Sequence, residues 1–155
     1  MIIIVTGSVC SGKTTYAKEL VKEKRKKGLN YKYIDVSKIV MDNKKQVGAK
    51  YNRKLKTYDV DTNKLNKILI KRIEEARKNK QTLVIDSHLS HYLPVKYVDK
   101  CIVIRCSDLK KLKKRLEKRR YNKKKIMDNL EEEIMESCLQ DAIAMGHKIK
   151  IIDTK

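Results

Sequence analysis

The chain has 155 residues, of which 39 are Lys or Arg and 19 are Asp or Glu, so its formal net charge is +20. This length suits one domain with a proper core, and because Phe and Trp are absent, Ile, Leu and Val must build that core with eight Tyr. The single Pro and five Gly argue against a long flexible linker, and no apolar run approaches the roughly 20 residues of a membrane span.

The strong positive charge favours polyanionic partners, namely nucleotides and RNA before an anionic membrane. A Lys-rich composition of an ordinary enzyme accounts for the same charge, because net charge alone carries no specificity. The four cysteines show neither a CxxC pair nor a zinc spacing, which predicts reduced thiols and a cytoplasmic protein. The chain opens directly into an apolar strand, so we expect no secretory leader. Its charge favours a soluble monomer.

A short β-branched strand, Met1–Val5, is followed by a glycine-rich loop and an amphipathic helix. The loop GSVCSGKT, residues 7–14, has the spacing of a P-loop, in which backbone N–H groups surround phosphate oxygens. Lys13 can place its ammonium on the β- and γ-phosphates, and the hydroxyl of Thr14 can bind Mg²⁺. A purely structural glycine turn is the alternative. The flanking strand and helix favour a nucleoside triphosphate site.

Strands and helices alternate through the rest of the chain. Further strands are predicted at 31–34, 81–86, 100–105 and 148–152. Helical spacing of apolar residues predicts three helices, beginning at Asp61 or Thr62, at Ser107 or Asp108, and before Ile126. The last of these is expected to place one face in the core, made of Ile126, Leu130, Ile134 and Cys138. The pattern predicts an α/β fold, a P-loop NTPase three-layer sandwich with a five-stranded, mainly parallel sheet in a single domain, 1–155.

Two segments depart from this alternation. Residues 36–60 combine a short helical piece, Ser37–Met41, with polar, Tyr-rich chain. Residues 110–125 carry eleven Lys or Arg against one Glu, and Lys118–Lys125 joins the last two predicted helices. A basic segment of this kind predicts a lid that closes over phosphates and excludes water. A solvated basic face is the alternative.

The second half of the site is expected at the end of the strand that finishes at Asp86. A carboxylate at this edge of an open α/β sheet can complete the Mg²⁺ shell, although an Asp that caps the next turn is the alternative. His88 could position a water molecule or orient Asp86. His91 is predicted to be a surface loop residue, since its spacing from His88 fits no zinc site.

The segments GSVCSGKTT, VIDSHLSHYLP and VIRCSDLKKLKKRLEKRRYNKKKIMDNLEEEIME occur in this order and span nearly the whole chain. They resemble the small adenylate kinase isoenzyme 6 family, the coilin-interacting nuclear ATPases and their archaeal relatives. The D-x-H motif at 86–88 and the R-x-Y motif at 119–121 are the more specific parts. The resemblance implies an adenylate-kinase-like fold with a short lid, Mg²⁺-dependent phosphoryl transfer from ATP to nucleoside monophosphates, and ATPase activity. It also implies maturation of the small ribosomal subunit through a ribosomal protein partner.

The resemblance also implies roles for individual residues. The residues implied for ATP phosphates and Mg²⁺ are Cys10, Gly12, Lys13, Thr14 and Thr15. The Walker-B-like pair would be Asp86 and His88, the lid arginine Arg119, and a residue near the base Lys155. Segments 35–58 and 118–128 would be the monophosphate-binding region and the lid. The chain departs from the family near Met41, where the family has an acceptor-binding Arg after strand two, and only Arg53 is available in that segment. It also departs at Arg120, which replaces a lid Gly.

Three functions are compatible with these observations. The first is an adenylate kinase that acts on AMP and related monophosphates. The second is an assembly ATPase that acts as a switch on ribosomal RNA or a ribosomal protein, with little kinase activity. The third is a kinase for another small acceptor, such as a nucleoside or a shikimate-like acid, since fold alone does not fix the substrate.

Overall fold

Seven strands and six helices form the computed structural model, which describes residues 1–155. The strands are β1 (Ile2–Gly7), β2 (Tyr31–Asp35), β3 (Lys50–Asn52), β4 (Thr57–Asp59), β5 (Thr82–Asp86), β6 (Lys100–Arg105) and β7 (Ile149–Asp153). The helices are α1 (Lys13–Lys26), α2 (Val36–Asp42), α3 (Thr62–Lys78), α4 (Leu109–Lys118), α5 (Lys123–Ile134) and α6 (Ser137–Ala144). Five strands form one sheet in the order β2-β5-β1-β6-β7, with every pair parallel. The predicted α/β class and five-stranded sheet are confirmed.

Both faces of the sheet are covered by helices. Successive side chains of a strand point to opposite faces, so Ile2 and Ile4 of β1 pack with α2, α3 and α6, while Ile3 and Val5 pack with α1. All four side chains are almost completely buried. A continuous apolar run is what a parallel strand between two helical layers requires, and the predicted three-layer sandwich is confirmed.

Two helix starts that the sequence left open are fixed by carboxylate caps. Asp61 Oδ1 accepts a hydrogen bond from the backbone N–H of Lys64 at 3.1 Å, and Asp108 Oδ1 accepts one from Lys111 at 3.0 Å. These bonds satisfy N–H groups that have no partner within the helix. Asp61 and Asp108 are therefore the caps of α3 and α4.

The prediction of one continuous C-terminal helix is wrong. The helix breaks at Met135–Glu136, where Glu136 adopts a left-handed conformation with φ 51°, and Ile134 is 61% exposed instead of buried. The break lets α6 pack against β1 and β6, with Ala142 completely buried in the core. At the break, the carboxylate of Glu136 lies 2.7 Å from the guanidinium of Arg105.

Residues 36–60 contain more regular secondary structure than their polar composition predicts. The helical piece that the sequence indicates lies within α2, and β3 and β4 form an antiparallel hairpin. Tyr51 and Tyr58 face each other across it, with ring centroids 5.2 Å apart in an edge-to-face arrangement. This aromatic pair gives the Tyr-rich composition a structural role.

The prediction that His91 lies on the surface is wrong. A 3-10 turn, Ser90–Tyr92, brings its ring beneath β1, where it is 2% exposed and its Nδ1 lies 2.7 Å from Thr6 Oγ1. The buried ring of His147 lies nearby, with Nε2 2.8 Å from the carbonyl oxygen of His91. A hydrogen-bonded polar cluster therefore supports the strand that leads into the phosphate loop. None of the helices combines the length and the apolarity that crossing a membrane requires.

Candidate active site

The phosphate loop joins the carboxyl end of the central strand β1 to the first turn of α1. Two glycines make its path possible, since φ is 147° at Gly7 and 106° at Gly12. A Cβ at Gly7 would overlap the carbonyl oxygen of Ile104, and one at Gly12 would lie 3.2 Å from Cγ2 of Thr154. No side chain caps α1, so its first N–H groups are free to bind phosphate oxygens.

Lys13 folds back over the loop. Its Nζ donates a hydrogen bond to the carbonyl oxygen of Ser8 at 2.7 Å, which places the ammonium within the cradle. Burial lowers the pKa of Lys13, and the nearby carboxylate of Asp86 opposes that effect. A phosphate that entered the cradle would add further negative charge beside the ammonium and would favour its charged form.

Asp86 lies at the end of β5, next to β1, and is 6% exposed. Its Oδ2 accepts two hydrogen bonds, from Thr14 Oγ1 at 2.6 Å and from the hydroxyl of Tyr33 at 2.8 Å. Burial, followed by the bond to Asp86, raises the pKa of Tyr33, so this hydroxyl stays a donor. The structure thus joins the two predicted Mg²⁺ ligands, Thr14 and Asp86, directly.

His88 lines the cleft two residues after Asp86 and keeps part of its surface exposed to solvent. Desolvation, followed by the positive charge of Lys13, lowers the pKa of His88 to about 4. The imidazole is therefore neutral near pH 7 and can accept a proton or a hydrogen bond.

The opposite wall of the cleft comes from α4, α5 and the turn between them. Arg115 Nη1 donates a hydrogen bond to the carbonyl oxygen of Cys10 at 3.1 Å. Lys125 Nζ lies 4.1 Å from the centroid of the Tyr121 ring and 3.2 Å from the carbonyl oxygen of Lys56 in the hairpin turn. The predicted lid segment therefore contacts the phosphate loop at one end and the β3–β4 hairpin at the other.

A buried carboxylate supports the loop from behind. Glu133, in the last turn of α5 and 9% exposed, accepts hydrogen bonds from Ser8 Oγ and from the backbone N–H of Cys106, the latter at 2.8 Å. On the other side, Thr154 Oγ1 donates to the carbonyl oxygen of Ser11. The loop is thereby attached to α5, to the end of β6 and to the C-terminal segment.

Most of the residues predicted for the site line one cleft with a volume of about 950 Å³. They are Cys10, Gly12, Lys13, Thr14, Thr15, Asp86, His88 and Arg119. Lys155 does not line the cleft, and its backbone oxygen instead accepts a hydrogen bond from Lys111 Nζ at 2.6 Å. A second hollow of about 820 Å³, between α3 and β2, contains none of the predicted residues.

Sequence reasoning missed Tyr33 and Glu133. A signal existed for Tyr33, which lies two residues before the end of β2, the neighbour of β5, and therefore on the same sheet face as Asp86. Glu133 had no comparable signal, because it is one of three consecutive glutamates, at 131–133, of which only this one is buried.

Comparisons with known proteins identify the family of the chain. The profile of a family described as "AAA domain" matches residues 3–136. A Methanocaldococcus jannaschii protein named "Putative adenylate kinase" is 34% identical over 149 residues, which cover 96% of this chain and 76% of the relative. The adenylate kinase isoenzyme 6 homolog of Schizosaccharomyces pombe is 34% identical over 140 residues, covering 90% of this chain and 73% of the relative.

A solved structure gives the same fold at low sequence identity. The crystal structure of shikimate kinase from Bacteroides thetaiotaomicron has a TM-score of 0.57 and 12% identity, covering 99% of this chain and 85% of the neighbour. This likeness shows the fold alone, that of a P-loop kinase. The family profile and the two relatives show that the chain belongs to the adenylate kinase isoenzyme 6 family of P-loop nucleotide kinases and ATPases.

Proposed function

We propose that this protein transfers the γ-phosphoryl group of ATP to a nucleoside monophosphate, AMP first, and that it also hydrolyses ATP slowly. The observation that carries the proposal is the contact of 2.6 Å between Thr14 Oγ1 and Asp86 Oδ2 beside Lys13, within a cleft walled by lid cations. Phosphoryl transfer depends mainly on positioning and on neutralising charge, and these residues offer both.

The residues fit Mg²⁺ by their chemistry. Thr14 and Asp86 supply a hydroxyl and a carboxylate oxygen, and Mg²⁺ prefers one or two protein oxygens together with phosphates and water. When bound there, held by Thr14 and Asp86, the ion would supply positive charge that neutralises the charge developing on the phosphates. Lys13 would leave Ser8 for the phosphates, and neutral His88 would accept a hydrogen bond from a water molecule in the cleft.

The lid would complete the phosphate shell. Arg115, Lys118, Arg119 and Lys125 all line the cleft from the side opposite Asp86. Their charges would stabilise the phosphoryl group in the transition state, and their closure would exclude water. Cys10 and Thr15 would hold phosphate oxygens through the loop and the first turn of α1.

The part of the cleft lined by residues 35–58, here called the acceptor wall, offers few groups to hold the phosphate of a monophosphate, so hydrolysis of ATP can compete with phosphoryl transfer. From residues 35–58 only Asp35, Ser37, Leu55 and Thr57 line the cleft, and none of them is a cation. Arg53 lies exposed at the hairpin turn and outside that lining. An acceptor phosphate would therefore be held by the lid cations alone, which predicts a weak, millimolar-class KM for AMP.

The test is ADP formation from ATP and Mg²⁺, with and without AMP. We expect a rate that increases several-fold with AMP and is lost in Asp86→Ala. Asp42→Asn is the matched control, because Asp42 is exposed at the end of α2, outside the cleft, and makes no side-chain hydrogen bond. A rate that ignores AMP over its whole soluble range would contradict the kinase proposal.

A second candidate is an assembly ATPase acting on ribosomal RNA and a small-subunit ribosomal protein in the cytoplasm. Two observations favour it: the acceptor wall has no cation, and Arg105 is the one Lys or Arg that pairs with a carboxylate within the chain. The remaining positive charge is available to an external polyanion.

This candidate predicts RNA binding that weakens steeply with salt, with a slope of roughly −0.7 per phosphate contacted on a single strand. Fluorescence anisotropy with a labelled single-stranded RNA would measure it. Lys113→Gln/Lys114→Gln in the basic run should reduce the slope, whereas Lys22→Gln/Lys26→Gln on α1 removes the same charge elsewhere. Equal effects of the two pairs, or no RNA stimulation of ATP hydrolysis, would argue against this role.

A further inference from the structure

The Asp86 carboxylate is held on one side only. Oδ2 accepts both of its hydrogen bonds, from Thr14 and Tyr33, while no protein group donates to Oδ1. Because Asp86 lines the cleft, the free oxygen is the one available to an incoming ligand. The two donors therefore leave Oδ1 as the carboxylate oxygen that can bind a ligand.

The two donors differ in what else they do. The oxygen of Thr14 is also a ligand candidate for the metal, so nucleotide binding changes its surroundings. Tyr33 is not a ligand candidate: its hydroxyl donates to Asp86 and lies close to Thr14, and Lys18 Nζ lies 5.5 Å from its ring centroid. Packing against α1 and Val84 fixes the direction of its hydroxyl.

We propose that Tyr33 is a positioning residue of the metal–nucleotide site, whose hydroxyl orients Asp86 so that Oδ1 faces the metal or a water in its shell. The inference rests on the proposed function in taking metal–ATP as the ligand. Removing the hydroxyl leaves Asp86 with a single donor that also belongs to the metal site, so the carboxylate loses its fixed orientation. Partners that orient a ligand in this way typically contribute 10- to 100-fold to metal affinity or activity.

The experiment measures binding of a non-hydrolysable ATP analogue by calorimetry, once with Mg²⁺ and once with EDTA. We expect Tyr33→Phe to weaken binding roughly tenfold with Mg²⁺ and to leave binding in EDTA unchanged. Paramagnetic resonance of Mn²⁺ in the presence of the analogue should show the same loss of bound metal. Thermal unfolding of each variant would establish that it is folded.

Tyr31→Phe is the matched control. Tyr31 lies on the same strand and the same sheet face and is 7% exposed, but its hydroxyl makes no hydrogen bond to the protein. Tyr31→Phe removes a hydroxyl oxygen, as Tyr33→Phe does, but changes no contact of Asp86. The dissociation constants of the analogue with Mg²⁺ and with EDTA should therefore both equal those of the wild type.

Any of the following results would overturn the inference. An equal loss with Mg²⁺ and with EDTA would mean that Tyr33 shapes the pocket without acting on the metal, and no loss in either buffer would mean that Thr14 alone orients Asp86. Wild-type protein that binds no analogue in either buffer would refute the proposed function and this inference with it. Loss of Mg²⁺-dependent binding in Asp86→Ala but not in Tyr33→Phe would leave the proposed function standing and refute the inference.

Discussion

Replacing Glu133 with Ala should destabilise the fold and loosen the phosphate loop together. The carboxylate is the only partner of two buried donors, the hydroxyl of Ser8 and the backbone N–H of Cys106. Ser8 is 5% exposed and Cys106 is fully buried, so water cannot easily replace the lost oxygens. The two donors lie on the phosphate loop and directly after β6, which Glu133 holds together.

The expected magnitude follows from these two donors. A buried donor left without a partner costs about 1–3 kcal/mol, and the Ser8 hydroxyl can rotate toward another acceptor, so the total is about 3 kcal/mol. Burying the carboxylate has its own desolvation cost, which Ala relieves, but breaking one side of such a network usually destabilises. For a domain of this size the loss corresponds to a melting temperature lower by about 6–12 °C.

Thermal unfolding followed by circular dichroism, with and without an ATP analogue, would measure the effect. Glu133→Gln keeps one acceptor and should lose about half as much stability, because its amide N–H₂ faces the second donor. Glu131→Ala on the exposed side of α5 is the control and should change stability by less than about 0.5 kcal/mol. If the melting temperature of Glu133→Ala equals that of the Glu131→Ala control, or exceeds that of the wild type, the supporting role assigned to Glu133 is wrong.

Three further predictions concern other parts of the chain. Gly12→Ala should abolish binding of the ATP analogue and destabilise by about 1–3 kcal/mol, whereas Gly28→Ala, also at positive φ but with open space around it, should retain binding. Burial lowers the pKa of His91, so below about pH 6.5 the unfolded chain binds a proton that the folded protein does not. The free energy of unfolding therefore decreases as the pH is lowered, by up to about 1.4 kcal/mol per pH unit. Urea unfolding between about pH 7.5 and 5.5 should show a flatter profile for His91→Gln, and an unchanged profile would contradict this assignment. Lys125→Met removes the hydrogen bond to Lys56 and should raise the AMP-independent share of ATP hydrolysis with little change in melting temperature, since an exposed contact is worth under about 1 kcal/mol.

The central strand and the phosphate loop could be predicted because their residue types allow few other conformations. A β-branched run that is apolar on both faces fits a buried parallel strand, and the loop glycines occupy positive φ that other residues rarely adopt. Asp86 could be placed because the carboxyl ends of parallel strands meet at one edge. These features are local, or follow from topology alone.

The helix break at Glu136 and the burial of His91 could not be predicted in the same way. Each involves residues far away in the sequence, β1 and β6 beneath α6 in the first case and Thr6 in the second. Helical periodicity continues across residues 134–138, so the pattern gives no sign that α5 ends at Ile134. The same holds for Glu133, whose exposed neighbours carry the same side chain.

The short helix α5 connects the two halves of the site. Its first turn carries Lys125, which contacts the hairpin, and its last turn carries Glu133, which holds Ser8 of the phosphate loop. Twelve residues of helix span about 18 Å, so the turn that carries Lys125 cannot shift far unless the Ser8–Glu133 contact breaks or acts as a pivot. Coupling of this kind is reciprocal: if phosphates that order the loop favour a closed lid, then closing the lid must favour phosphate binding equally. A cation on a separate mobile loop could neutralise the same charge, but it would not be connected to the phosphate loop as Lys125 is, because Lys125 shares α5 with Glu133.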